Sequence, residues 1–143
     1  REKVGLAPYA KGNALVAAMK ALKKGNVLGF LADQDAKASG VFVNFFGRPA
    51  STPQGPAVFA LRCGAPVIPA FIVRQPKKGH RILLSPPIYG ASTGESADEI
   101  QRLTEQMTQV MEERIRRYPD HWWWFQRRWI TNQKTGESIE IKP

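Results

Sequence analysis

The chain carries the continuous apolar run Val27-Leu28-Gly29-Phe30-Leu31-Ala32, which ends in the polar triplet Asp33-Gln34-Asp35. A short apolar run without polar alternation is typical of a strand that is buried on both faces of a sheet. It follows a segment, Asn13 to Lys24, in which apolar residues recur at helical spacing between a capping Asn and Gly25. A helix followed by a strand of this kind predicts an α/β fold.

The rest of the chain continues the alternation of helices and short strands. Strands are predicted at 41–46, 66–73 and 81–85, a turn at 47–49, and helices at 53–63 and 96–117. The last helix has the clearest signals, because Ser96 and Glu99 can form a capping box and Pro119 follows its end. This order of elements predicts an α/β fold with a mostly parallel sheet flanked by helices.

Composition and charge limit the class of protein. The 143 residues predict one domain, and 43% apolar with 23% charged residues exclude collagen-like, coiled-coil and wholly disordered chains. Cys63 is the single cysteine, so an internal disulfide is excluded and a zinc site is not expected. The net charge of +9 favours an anionic partner, such as nucleic acid, anionic lipid, or a phosphorylated substrate or carrier.

The triplet Asp33-Gln34-Asp35 is the first candidate site. Ligands of open α/β sheets bind beyond the carboxyl ends of the strands, which is where these side chains are predicted to project. Two carboxylates separated by one residue can hold a divalent cation, as in sugar-nucleotide transferases, or can orient a polar substrate. The alternative is that these acids only form the turn that ends a strand.

Two aromatic segments are the other candidates. Phe45-Phe46-Gly47-Arg48 can line an apolar slot with a cation at its opening, or can be core residues followed by a turn. All four tryptophans lie between Trp122 and Trp129 beside two arginines, a composition that suits a membrane surface or single-stranded nucleic acid. The alternative for this second segment is an aromatic cap packed on the sheet.

Neither histidine is a convincing general base. His80 has no acid four or five residues beyond it, and the acid next to His121 in sequence is expected to be poorly placed to orient its ring. The chain also lacks a phosphate-binding loop and the Gly-x-Ser-x-Gly motif. The sequence therefore contains no complete catalytic machinery of these types.

An ordered set of short motifs resembles the bacterial lipid A biosynthesis acyltransferases, the lauroyl and myristoyl transferases of the lysophospholipid acyltransferase superfamily. The resemblance runs from about residue 11 to residue 129 and leaves 130–143 as a polar tail. Its motifs are Leu31-Ala32-Asp33-Gln34-Asp35, Gly40-Val41-Phe42-Val43-x-Phe45-Phe46-Gly47-x-Pro49-Ala50, Gly55-Pro56-Ala57, Gly64-Ala65-Pro66-Val67-Ile68-Pro69 and Trp124-x-x-x-Arg128-Trp129.

This resemblance implies an enzyme on the cytoplasmic face of the inner membrane. The family transfers a fatty acyl chain from an acyl carrier protein or coenzyme A to a hydroxyl of a phosphorylated glucosamine lipid, without metal or cofactor and without nucleic acid. The family's base is a His-x-x-x-x-Asp motif, which neither histidine fits, since Ser85 and Gln126 stand at the fifth position after them. We therefore expect the base upstream, this chain to be the C-terminal part of the acyltransferase domain, and the fragment alone to be inactive.

The resemblance also implies roles for individual residues. The acyl-acceptor or substrate-binding residues are expected to be Asp33, Gln34, Asp35, Phe45, Phe46, Gly47, Arg48 and Pro69, the last shaping the floor of the pocket. The basic body suits an anionic lipid and an acidic carrier protein. The membrane-interface residues are expected to be Trp122, Trp123, Trp124, Arg127, Arg128 and Trp129.

Three other functions stay open from the residues alone. One is a metal-dependent sugar-nucleotide transferase built on Asp33 and Asp35. The second is a nucleic-acid-binding module that uses the tryptophan segment, and the third is a lipid-surface module without catalysis.

Overall fold

The computed structural model of the chain describes Lys3 and residues 14–77, 79–91 and 94–138. The chain divides into two compact units, Arg1–Phe30 and Leu31–Pro143. In the first unit, α1 spans Ala14–Lys23. This confirms the helix predicted at 13–24, whose capping Asn13 lies outside the described residues. Gly25, at φ +82°, follows its end in the left-handed conformation that favours glycine.

The strand predicted at 27–32 is wrong. These residues have no regular secondary structure, and Val27 and Leu31 are 96% and 81% exposed. An extended run becomes a strand only when its N–H and C=O groups pair with those of a neighbouring strand. All the sheets among the described residues are two-stranded hairpins, and none of them includes this run. Apolar composition alone therefore did not make it a strand.

The second unit begins with an antiparallel hairpin of β1 (Val41–Phe45) and β2 (Arg48–Thr52), in which each residue faces one partner. Its turn places Phe46 at φ 54° and Gly47 at φ 78°. Two positive φ angles are what a two-residue type I′ turn requires. The predicted strand at 41–46 is confirmed to within one residue. The predicted turn at 47–49 is too long, because Pro49 belongs to β2.

A second antiparallel hairpin joins β3 (Ala70–Arg74) to β4 (His80–Leu84). β4 confirms the strand predicted at 81–85 to within one residue, as the neighbour of the one predicted at 66–73. β3 confirms only the second half of that strand, because 66–69 lie before it. The described strands do not form the predicted mostly parallel sheet. Each connection inside these hairpins is too short for the crossover of a dozen or more residues that parallel strands need.

Two further helices complete the second unit, α2 over Gly55–Cys63 and α3 over Ala97–Arg117. Helix α2 has proline in its first turn and Gly64 at φ 62° after its end. At the start of α3 the Ser96 hydroxyl accepts a hydrogen bond from the Glu99 amide at 3.1 Å. Both helices confirm the predicted elements at 53–63 and 96–117.

Helix α3 contributes to both apolar clusters of the second unit. Its Ile115 packs with Phe45 and Ala50 of the first hairpin, and its Leu103 packs with apolar residues of α2. The α/β class is thus confirmed, with α3 lying against β1 and α2. In the part of the chain that the structure describes, no helix has both the length and the apolar character needed to span a bilayer.

Candidate functional site

The acidic triplet lies against a segment that is more than ninety residues away in sequence. The Gln126 side chain donates a hydrogen bond from Nε2 to Oδ2 of Asp33 at 3.2 Å. The Thr131 hydroxyl and amide donate to the two carboxylate oxygens of Asp35 at 2.6 and 3.3 Å. Both carboxylates are half-buried, whereas Gln34 is exposed. The hydrogen bond from Gln126 occupies Oδ2 of Asp33 and leaves Oδ1 outside that contact.

The backbone after the triplet is seated on β2. The Lys37 amide donates to Asp35 at 2.8 Å, the Ala36 amide donates to the Ser51 carbonyl at 3.2 Å, and the Ser51 hydroxyl donates to the Lys37 carbonyl at 2.6 Å. A Cβ at Gly40 would lie 2.7 Å from the Ala36 Cβ, closer than real side chains approach. Because its carboxylate accepts from the Lys37 amide, Asp35 is also a turn residue, as in the alternative that these acids form the turn ending a strand.

Arg128 connects this region to the core. Its side chain is 1% exposed. Its guanidinium donates to the Ser51 carbonyl at 2.6 Å and to the Thr52 hydroxyl at 2.5 Å, and it lies over the Phe45 ring at 5.2 Å. The prediction of Arg128 as a membrane-interface residue is wrong, because a buried guanidinium bonded to β2 cannot contact lipid.

The charge of Arg128 interacts with the carboxylates of the acidic triplet. Burial lowers the pKa of the Arg128 guanidinium from its ordinary value, and the charges of Asp35 and Asp33 oppose that change. Arginine stays protonated in proteins even when its pKa falls, so the charge is retained next to the two carboxylates. The motif Trp124-x-x-x-Arg128-Trp129 had marked this arginine in the sequence, but nothing in the spacing showed its position beside Asp33 and Asp35.

The segment Phe45-Phe46-Gly47-Arg48 is mainly core and turn. Phe45 is completely buried, with Trp129 stacked at 5.4 Å and Trp122 edge-on at 5.7 Å between ring centroids. Phe45 therefore does not line an open slot, and for this residue the predicted substrate contact is wrong. Phe46 is half-buried, and the exposed Arg48 lies over the Trp129 ring at 5.5 Å.

The tryptophan segment divides into a packed part and an exposed part. Trp122 and Trp129 pack on Phe45, so for them the aromatic-cap alternative describes the structure. Trp123 and Phe125 are 68% and 84% exposed. Trp124 is half-exposed and Arg127 is exposed. A surface role is therefore open to these last four residues, of which Phe125 was not predicted.

Pro69 lies just before β3 and is half-buried. Its carbonyl accepts a hydrogen bond from the Ser85 amide at 2.9 Å, which extends the pairing of the second hairpin. Its role in the floor of a pocket stays a prediction.

One interaction contradicts the sequence reasoning directly. The Asp120 carboxylate lies 2.9 Å from Nδ1 of His121 and 3.6 Å from Arg74. The hydrogen bond from His121 is the largest cause that lowers the pKa of Asp120. The short 3-10 turn over Pro119–His121 brings the two neighbouring side chains together, which sequence adjacency alone did not predict.

Comparison with known proteins identifies the family. The family model for bacterial lipid A biosynthesis acyltransferases matches residues 1–131. The chain belongs to this family. The match includes the acidic triplet, the first hairpin and the segment from Gln126 to Thr131, so the contacts described above all lie within the family region.

Individual relatives of this acyltransferase family cover most of the chain. The lipid A biosynthesis palmitoleoyltransferase of Escherichia coli (strain K12) is 31% identical over 129 residues, which is 88% of this chain and 40% of the relative. The lauroyltransferase of the same organism is 32% identical over 116 residues, 79% of this chain and 37% of the relative. A phosphatidylinositol mannoside acyltransferase of Mycobacterium tuberculosis (strain CDC 1551 / Oshkosh) is 25% identical over 122 residues, which is 85% of this chain and 36% of the relative. The chain thus spans about 40% of the length of the curated relatives it matches.

Proposed function

We propose that the whole protein transfers a fatty acyl chain from acyl carrier protein or coenzyme A to a hydroxyl of a lipid A precursor. The observation that carries this proposal is the family match together with the acidic triplet, which is held in place within the matched region. In the reaction the acceptor oxygen bonds to the acyl carbonyl carbon, the C–S bond of the donor breaks, and the thiol leaves with the proton taken from the hydroxyl.

The base in this proposal is the histidine of a His-x-x-x-x-Asp motif upstream of residue 1. Asp33, Gln34 and Asp35 bind the acceptor. The Asp33 carboxylate, which Gln126 contacts only at Oδ2, and the exposed Gln34 amide would offer an acceptor and a donor to a sugar hydroxyl. A hydrogen bond to a carboxylate is among the stronger ones, so it can orient the acceptor oxygen towards the thioester.

The exposed part of the tryptophan segment supports a peripheral position on an anionic bilayer, which we place at the cytoplasmic face of the inner membrane. Trp123, Trp124 and Phe125 present aromatic surface beside Arg127. Aromatic rings at headgroup level with arginine on lipid phosphate are typical of such interfaces. In the whole protein we expect the mostly parallel sheet that the resemblance implies.

The alternatives are less well supported by the geometry. The described residues contain no group of three metal-ligating side chains, so Asp33 and Asp35 lack a further ligand there for the metal-dependent transferase. A nucleic-acid site would have to do without Arg128, which is buried. The mannoside relative makes another anionic glycolipid the closest competing acceptor.

The test is acyl transfer by the intact enzyme and by its Asp33→Asn variant, with acyl carrier protein thioester as donor. Asparagine keeps the shape and can still accept from Gln126, but it removes the charge. Loss of a charged hydrogen bond predicts a decrease in kcat/KM of between about 10- and 150-fold. Asp98→Asn, on the first turn of α3, is the matched control and keeps its activity. Full activity of a folded Asp33→Asn enzyme contradicts the role of Asp33.

The acceptor is tested in the same assay. A phosphorylated glucosamine lipid and a phosphatidylinositol mannoside are compared at equal concentration. Transfer to the first supports the proposal, and transfer to the second alone reassigns the acceptor. Transfer to neither by the intact enzyme contradicts the proposed function.

A further inference from the structure

We propose that Arg128 is a positioning residue of the acceptor site, which holds the Asp33–Asp35 segment on β2 and supplies the buried positive charge that balances its carboxylates. The inference rests on the proposed function for the identity of the site. Arg128 is completely buried, so it acts on the substrate through the acidic segment and not by contact.

The positioning runs through one residue of β2. The Ser51 carbonyl accepts hydrogen bonds from the Arg128 guanidinium at 2.6 Å and from the Ala36 amide at 3.2 Å. The Ser51 hydroxyl also donates to the Lys37 carbonyl at 2.6 Å. Since Ala36 follows Asp35 directly, a shift of Ser51 moves the acidic segment. The guanidinium fixes Ser51 from the core side.

The same short segment supplies the neutral partners of both acids. Gln126 and Thr131, which bracket Arg128, donate to Asp33 and Asp35. Arg128 itself is fixed by the Phe45 ring, over which it lies at 5.2 Å. The segment 126–131 is therefore anchored in the core at its arginine and binds the acidic residues on each side of that anchor.

The charge arrangement leaves the acids able to bind a ligand. Among the residues that the structure describes, Arg128 makes no direct ion pair. A direct bidentate pair would occupy the oxygens of one carboxylate. Here Arg128 acts on the two carboxylates without a direct ion pair, and Gln126 contacts Asp33 at Oδ2 only. Removing the charge would take away the buried cation that acts on two half-buried carboxylates, which is costly.

Lysine cannot replace this geometry fully. The planar guanidinium bonds the Ser51 carbonyl and the Thr52 hydroxyl at once while it stacks on Phe45. A lysine ammonium is a point charge on a flexible stem. Arg128→Lys therefore keeps the charge but loses the hydrogen bonds that fix Ser51. Arg128→Met loses both the charge and these hydrogen bonds.

The first experiment measures kinetics of the intact enzyme with Arg128→Lys and Arg128→Met. We expect the KM for the lipid acceptor to rise at least 10-fold in Arg128→Met and less in Arg128→Lys, with the KM for the acyl donor unchanged. A purely structural role would reduce the fraction of active enzyme and lower kcat without moving either KM. That result overturns the proposal. The charge-matched control, Arg81→Met on the exposed surface of β4, leaves both KM values unchanged.

The second experiment needs no activity and so separates this inference from the proposed function. Amide hydrogen exchange at Ala36 is measured in the intact enzyme and in its Arg128→Lys variant. We expect exchange at Ala36 to accelerate at least 10-fold while exchange at Leu103 in α3 is unchanged. Equal exchange at Ala36 in both proteins overturns the positioning role. The comparison does not use Arg128→Met, so it remains decisive if that variant does not fold. If the intact enzyme transfers no acyl group, the proposed function fails while this measurement still decides the role of Arg128.

Discussion

The two hairpins have the same strand length and the same antiparallel pairing, but they differ in what covers them. In β1–β2 the inward residues Val43, Phe45 and Ala50 are buried, and the last two residues of β2, which bond Arg128, are buried as well. In β3–β4, Ile72, Ile82 and Leu84 are 62%, 65% and 67% exposed. Strand pairing is local in both. Burial depends on α3 and on the segment 122–131, which pack on the inward residues of the first hairpin.

The comparison explains where the site lies. A hairpin whose inward residues are buried can hold a polar segment against its edge in a fixed position. The acidic triplet is attached to β2, the packed strand. The second hairpin presents apolar surface that the described part of the second unit leaves uncovered.

The largest effect is expected from Phe45→Ala, which removes the ring on which Arg128, Trp122 and Trp129 pack. Truncation of a fully buried phenylalanine costs about 3–5 kcal/mol of unfolding free energy. Denaturant unfolding checks the value. The matched control is Phe125→Ala, the same change at an exposed ring, which is expected to stay within about 0.5 kcal/mol. Similar losses in both variants would refute the contrast between the packed and the exposed region.

A smaller effect is expected at the contact between α3 and the loop that joins it to β4. Glu99 accepts hydrogen bonds from the Arg102 guanidinium and, at 2.6 Å, from the Ala91 amide. The hydrogen bond from Arg102 is the main cause that lowers the pKa of Glu99 from 4.5 to about 2. A folded-state pKa below the unfolded value means that this stabilisation is present above pH 4.5 and is lost as the pH falls towards 2.

Glu99→Gln removes this titration, so the decrease in unfolding free energy between pH 4.5 and 2 becomes shallower. Arg102→Gln is expected to have the same consequence, because it removes the main donor. Denaturant unfolding at a series of pH values measures both. An unchanged acid slope in the two variants would show that this polar attachment does not stabilise the fold.

The smallest effect is expected from Ile82→Thr on the exposed face of the second hairpin. Because this side chain is mostly in solvent, the unfolding free energy should change by no more than about 0.5 kcal/mol. A loss above about 2 kcal/mol would mean that the face is covered in solution. Sedimentation analysis of the same sample then shows whether a second copy covers it.

Local sequence signals predicted most elements of the second unit. Gly64 after α2 and Ser96 before α3 act on residues within a few positions, so these helix ends could be predicted without the fold. The error at 27–32 has the opposite cause. A strand needs a partner, and the identity of that partner is not written in the apolar run itself.

The candidate site was predicted in part. The acidic triplet and the tryptophan segment were both recognised as candidates. Their contact was not, since Gln126 lies 93 positions after Asp33 and Thr131 lies 96 positions after Asp35. The tryptophan segment was predicted to be either a surface or a packed aromatic cap, whereas its members divide between the two. The contact of His121 with Asp120, its neighbour in sequence, was not predicted.

The sequence by itself determined the family, the helix ends, three of the four hairpin strands and the presence of an acidic triplet, because each rests on residue identities at short spacing. Only the tertiary structure decided that Arg128 is buried beside that triplet, that Phe45 is core, and that Trp123 and Phe125 face solvent. Burial and charge compensation arise between segments that are distant in sequence. They depend on which surfaces meet when the chain folds, and no local pattern records that.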